Sequence, residues 1–151
     1  MLKKGDKAPA FELESSNGGT VSSENLKGSK YVLYFYPKDN TSGCTKEAVE
    51  FSQLINDFKN KNIQIFGVSP DSIQKHHKFI KDHDLKITLL SDPENNVSSA
   101  YFAYGDKTMY GKVYKGIIRS TFIINEEGII EEAFYKVKAS GHAEKVLGCV
   151  L

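Results

Sequence analysis

Hydrophobic and polar positions divide the chain into short blocks whose period changes from one to the next. The first dense block is Tyr31 to Tyr36, YVLYFY, apolar or aromatic throughout, which is the pattern of a strand covered on both faces. It stops at Pro37. After a polar loop, Lys38 to Ser42, the period becomes helical, with Cys44, Ala48, Phe51, Ile55 and Phe58 on one face. Ile63 to Val68 (IQIFGV) predicts a second buried strand. Ser69-Pro70-Asp71 then reads as a helix start with proline at the first position, the helix running to about His83. Ile87 to Leu90 predicts a short strand, and Asp92-Pro93-Glu94 another helix start, ending near Tyr104-Gly105.

At the amino-terminal side, Phe11, Leu13 and Val21 flank the turn signal Asn17-Gly18-Gly19, predicting a short hairpin. Ser22 and Ser23 offer a cap for one helical turn through Leu26, which Gly28 ends. At the carboxyl side, Ile117 to Ile124 and Ile129 to Tyr135 predict strands joined by Asn125 to Gly128, and Ser140 caps a last helix to Val150. Asp106 to Lys115 (DKTMYGKVYK) follows no period and predicts no element. Three strand–helix pairs, a hairpin and a helix predict an α/β fold, with a central mixed β-sheet and helices on both faces. A thioredoxin-like sheet satisfies this order. In open α/β sheets, sites lie beyond the carboxyl ends of the strands, which is where Pro37 to Cys44 falls.

With 151 residues and 40% hydrophobic content, the expectation is a single domain spanning 1–151. Twenty Lys and Arg against 19 Asp and Glu leave a net charge of +1, which gives no argument for a nucleic-acid or membrane partner. MLKKGDKAPAF lacks the apolar run of a signal peptide, so a cytoplasmic location is expected. Two cysteines, Cys44 and Cys149, form no C-x-x-C pair and suggest neither a disulfide framework nor a zinc site.

Cys44 falls in the first turn of a helix that follows a strand. Unpaired backbone N–H groups and the helix macrodipole favour a thiolate there over a thiol, although a small buried hydrophobe is the bland alternative. Arg119 is set within GIIRSTFII, and burying an unpaired guanidinium would cost several kcal/mol, so it requires an anion. Asp39, Glu47, Glu50 and a Cys44 thiolate are the candidates. The Thr41 hydroxyl can donate and accept beside the thiol or cap the helix, and Pro37 can shield the sulfur or simply end a strand. His76, His77 and His83 lack a metal-ligand spacing, so no metal is expected. Tyr101, Phe102, Tyr104, Tyr110 and Tyr114 are expected in the core and lining a pocket, no basic stripe accompanying them.

Pro37, Thr41 and Cys44 in YFYPKDNTSGCTKEAVEF reproduce a P-x-x-x-T-x-x-C motif, and with that spacing the chain resembles the peroxiredoxins, in particular the bacterioferritin comigratory protein or peroxiredoxin Q branch. GDKAPAFEL, IFGVSPDS, LLSDP, the Tyr104-Gly105 pair and RSTFIIN match as well, so the resemblance covers nearly the whole chain. It implies a thiol peroxidase without metal, haem or flavin, in which Cys44 attacks a hydroperoxide to give a sulfenic acid. By the same resemblance Thr41 and Arg119 hold the peroxide, the Gly43 and Cys44 N–H groups assist, and Glu47 orients Arg119 or the loop. Hydrogen peroxide and organic hydroperoxides are the implied substrates, and thioredoxin or another thiol the reductant.

Two departures stand out. Ser42 replaces the branch's usual proline. Val49 occupies the position where many relatives carry a resolving cysteine, and the Asp71 to His83 helix has none either. An external thiol or Cys149 must then reduce the sulfenic acid. Cys149 lies off the apolar stripe of Ala143, Val146, Leu147 and Val150, so an edge or exposed thiol is expected, either resolving or incidental. A monomer and a homodimer both remain open. The alternative functions are thiol-disulfide exchange, weakened by the missing C-x-x-C, and a redox-sensing or holdase-type binding protein.

Overall fold

A computed structural model describes residues 1–150. Its elements are β1 (Glu12–Ser15), β2 (Thr20–Ser22), α1 (Ser23–Leu26), β3 (Lys30–Phe35), α2 (Ser42–Gln53), α3 (Ile55–Lys59), β4 (Ile63–Ser69), α4 (Ile73–His83), β5 (Thr88–Ser91), α5 (Asn96–Ala100), β6 (Tyr104–Met109), β7 (Lys112–Ile117), β8 (Ser120–Ile124), β9 (Ile130–Phe134) and α6 (His142–Gly148). Seven strands form one sheet in the order β2-β1-β5-β4-β3-β8-β9. Strands β3, β4 and β5 run parallel, while β8 and β9 continue the sheet antiparallel on the far side of β3.

Strand β3 is central because its side chains feed two cores. Val32 and Tyr34, with Tyr36 just beyond the strand, pack against Ala48, Phe51, Phe58, Phe79 and Val146 from the helices. Tyr31, Leu33 and Phe35 point the other way, toward Phe11, Phe66, Tyr101 and Phe122. Each of Val32 to Phe35 is 0% exposed, which accounts for a run without alternation. The longer helices cover one face. The other is closed by Phe11, by Leu26 of α1 and by the Val97 to Ala103 segment around α5. Gly67 of β4 makes room for this packing, since a Cβ there would sit 2.8 Å from the Tyr34 ring and 2.9 Å from Leu89.

Several boundaries differ from the expectations, each for a local reason. Helix α4 begins at Ile73 with Ser72 as its cap, because Asp71 is buried in side-chain bonds instead of opening the helix. Helix α5 is a single short turn, held by the Asp92 carboxylate accepting from the Val97 and Ser98 N–H groups. Gly141, at φ 77°, caps α6 in place of Ser140. The predicted strand 117–124 is broken at Ile118 and Arg119, and β7 leaves the main sheet to pair with β6. That hairpin, turning at Tyr110 (φ 52°) and Gly111 (φ 78°), arises from the segment without a period. Most of its side chains are exposed on both faces, so no alternation marked it. Its Tyr110 is 97% exposed, and Phe102, Tyr114 and Tyr110 are surface residues, contrary to the expectation of core and pocket lining; Tyr101 alone of the five is fully buried.

Candidate active site

The end of β3, the loop after it and the first turn of α2 bring the chemistry-bearing residues together. Cys44, in the first turn of α2, is 2% exposed. Arg119, at the break before β8, extends its Nη2 group to 3.3 Å from Cys44 Sγ. Its Nη1 group donates to Glu47 Oε1 at 2.6 Å. Arg119 thus satisfies both of the anion candidates on α2's inner face, while Asp39 and Glu50 are engaged elsewhere, Asp39 with His76 and Glu50 with the Gly141 N–H. Because β8 pairs antiparallel with β3, Ser120 is opposite Phe35, and Arg119 emerges beside the mouth of α2.

Glu47 is 0% exposed, and its second oxygen has no hydrogen-bond partner among the described residues. Burial pushes its carboxyl up to about 7 against the pull of Arg119. Burial alone would lower the Arg119 guanidinium, but the Glu47 and Cys44 charges outweigh that and raise it further, so it stays cationic. Gly43 is what lets the guanidinium approach: a Cβ there would lie 3.3 Å from Nη2.

Thr41 occupies the N-cap position but makes no capping bond; its hydroxyl donates to the Lys38 carbonyl at 2.8 Å. The expected cap is therefore not formed. The Gly43 and Cys44 N–H groups, which have no acceptor within the helix, keep their hydrogens available, and Thr41 Oγ1 keeps its lone pairs. Pro37 is half-buried at the loop's start. Ser42 opens α2 and is exposed. Val49 is half-buried against the helical core. Chemically, the arrangement sets a sulfur at a positive helix end beside a guanidinium, with donors and an acceptor around it for a small oxygen species.

Cys149 is exposed and caps the carboxyl end of α6. Its neighbour Val150 shares a cavity with Gly28, Ser29, Lys30, Asn62 and Ile63, at the amino ends of β3 and β4. Cys44 follows the carboxyl end of β3. The length of that strand, about 17 Å, separates the two regions, well beyond the ~7 Å that a disulfide allows between Cα atoms.

Sequence reasoning missed a buried polar network behind the loop. Asp39, midway between Pro37 and Thr41, accepts from the Tyr36 hydroxyl and faces His76 Nδ1, both at 2.6 Å. Its own N–H donates to Asp71. The partners lie 32 and 37 residues away, and no local pattern could have signalled them. Lys107 of β6, half-buried, was missed too; its ammonium is lowered by burial and then by the nearby Arg119 charge.

Residues 4–133 match the family model described as the AhpC/TSA family. A bcp protein of Helicobacter pylori (strain J99), named within the peroxiredoxins, is 53% identical over 146 residues, covering 97% of this chain and 96% of its own. Peroxiredoxin Bcp of Bacillus subtilis (strain 168) is 44% identical over 146 residues, covering 97% and 93%. Among solved structures, a Cys-to-Ser mutant of Xylella fastidiosa PrxQ superposes with a TM-score of 0.90 at 36% identity, covering 98% of this chain and 94% of that one. With this agreement in sequence and fold, the chain belongs to the AhpC/TSA family as a peroxiredoxin of the Bcp/PrxQ kind on a thioredoxin-like fold, a thiol-dependent peroxidase that reduces hydroperoxides with a thiol reductant.

Proposed function

We propose that Cys44 is the attacking thiol, and that the chain works as a one-cysteine enzyme whose reductant is an external thiol. The observation that carries this reading is the 3.3 Å contact of Arg119 with Cys44 Sγ at the first turn of α2. The thiolate attacks one hydroperoxide oxygen; an S–O bond forms, the O–O bond breaks, the other oxygen leaves as water or an alcohol with the hydroperoxide proton, and the sulfenate left on Cys44 takes a proton from solvent to become the sulfenic acid. The reacting oxygen accepts from Arg119 and the Gly43 and Cys44 N–H groups, which meet the charge that develops as the O–O bond breaks. Thr41 Oγ1, its hydrogen given to Lys38, accepts the hydroperoxide O–H. Pro37 closes the far side of the loop, and Glu47 holds the guanidinium in place.

The sulfenic acid then condenses with a thiol, releasing water and leaving a mixed disulfide that a second thiol reduces. Val49 offers no sulfur, and Cys149 lies at the wrong end of β3. A thiol from outside, thioredoxin or a small molecule, fits both facts, and the cytoplasm supplies such thiols. The whole chain, 1–151, serves as one catalytic unit. In X. campestris bacterioferritin comigratory protein, which matches with a TM-score of 0.88 at 37% identity over 93% of this chain and 89% of that one, alkyl peroxide reduction has been studied, and organic hydroperoxides are proposed here beside hydrogen peroxide.

Peroxide consumption with a thiol reductant by wild type, Cys44→Ser and Cys149→Ser tests the reading. Loss only in Cys44→Ser supports it. Activity retained in Cys44→Ser, or lost in Cys149→Ser, contradicts it.

A further inference from the structure

The loop that carries Pro37 and Thr41 is held from behind by α4. Asp39 Oδ2 lies 2.6 Å from His76 Nδ1, while the other ring nitrogen, Nε2, lies 2.8 Å from the Leu90 carbonyl. Each ring nitrogen thus has an oxygen partner, so the imidazole is held at both ends. His76 is 0% exposed and Asp39 7%. The remaining Asp39 oxygen accepts from Tyr36, and the Asp39 N–H is taken by Asp71, which also accepts from Ser69 Oγ. Every polar atom of the Asp39 and His76 side chains is thereby paired, the condition under which a buried network fixes one geometry.

One residue on, Asn40 is in the left-handed region at φ 62°. Its side chain donates to Asp82 at 3.3 Å and lies 2.8 Å from His83 Nε2. His76 and His83 are seven residues apart, two helical turns, and so share the face of α4 that meets the loop. Two of the three histidines singled out by the sequence without a metal spacing thus grip adjacent residues of the active-site loop. His77, between them, reaches the Ser16 carbonyl at the surface instead.

We propose that His76 is a positioning residue for peroxide reduction: through Asp39 it clasps the loop to α4, so that Thr41, Pro37 and the first turn of α2 stand in place around Cys44 before substrate arrives. This rests on Cys44 as the attacking thiol. A loop that must be set within fractions of an ångström loses about 10- to 100-fold in rate when its support is removed. His76→Leu removes both bonds, whereas His76→Asn keeps a donor toward Asp39.

The experiment is single-turnover formation of the Cys44 sulfenic acid with hydrogen peroxide, at a temperature where circular dichroism shows each variant folded. His76→Leu is expected to slow this step about 10- to 100-fold, His76→Asn to recover most of the loss, and His77→Ala to match wild type. A folded His76→Leu with the wild-type rate overturns the inference. So does equal slowing of His76→Leu and His76→Asn, which would trace the loss to packing. Should His76→Leu not fold, Asp39→Asn replaces it, with the same slowing expected and a wild-type rate contradicting the clasp. A Cys44→Ser protein that still consumes peroxide would instead overturn the assignment of the attacking thiol.

Discussion

The two cysteines sit at opposite kinds of helix end. Cys44 opens α2, where unpaired N–H groups and partial positive charge accumulate, and it is buried against the only arginine in the chain. Cys149 closes α6, where the dipole turns negative; it is exposed, with Lys145 one turn away as the nearest helical cation in sequence. The same thiol therefore meets opposite surroundings in the two places, and the difference is assembled by the fold from distant segments. Glu47 deepens the contrast. It binds Arg119 from the side away from the sulfur, holding the fork in register while leaving Nη2 for Cys44.

The sharpest way to break this comparison is Cys44→Ser, which is expected to lower turnover with peroxide by at least about 1,000-fold in a coupled thiol-oxidation assay. Arg119→Met removes the cation and leaves the sulfur in place. The second-order rate with peroxide should fall about 100- to 1,000-fold, as for loss of a main charge-stabilising donor. Comparable rates in either variant would mean that the helix end and guanidinium are not what separates the two thiols.

Glu47→Gln sharpens the comparison through stability. The Glu47 pKa is raised by burial from 4.5 to about 7, so between those values the folded state holds a proton that the unfolded state has lost. Its contribution is fully present below pH 4.5 and is lost as pH rises through 7, a swing on the order of 3 kcal/mol. His142 works in the opposite direction. Buried between Phe51 and Phe134, it is depressed from 6.5 to about 4 by burial, then by Lys145 and Arg119, so stability is lost as pH falls through that window. Denaturant titrations from pH 4 to 8 should show wild-type stability nearly level over the overlap, and Glu47→Gln rising with pH there. An unchanged profile would remove Glu47 from the account.

A smaller effect is expected from Gly43→Ala. Its Cβ at 3.3 Å from Arg119 Nη2 displaces the guanidinium by a few tenths of an ångström, which should slow peroxide reduction several-fold while thermal stability barely moves. The smallest is Cys149→Ser, for which turnover with an external thiol should equal that of wild type.

Much of this frame was legible in the chain. The unbroken run at β3, the helical stripe from Cys44 and the later strands needed only periodicity, and the P-x-x-x-T-x-x-C spacing with Arg119 pointed to the site proposed above. What stayed hidden depended on pairing at a distance. The break at Arg119 looks like continuous strand because Ile117, Ile118 and Phe122 to Ile124 are apolar either way. The β6–β7 hairpin has no buried face to write a pattern. Ser69 and Ser140 looked like caps, yet Asp71 is drawn into bonds with Asp39 and Ser69, and Gly141 alone adopts the left-handed turn before α6. The Asp39–His76 clasp left no local trace, since neither residue's neighbours disclose the other.

The central claim is that Cys44 carries the chemistry without Cys149. Intact mass and peptide mapping after one equivalent of hydrogen peroxide, before any thiol is added, test it most directly. The account predicts a gain of one oxygen atom, confined to Cys44 and identical in wild type and Cys149→Ser. Loss of two hydrogens in wild type, with a peptide joining Cys44 to Cys149, would contradict it.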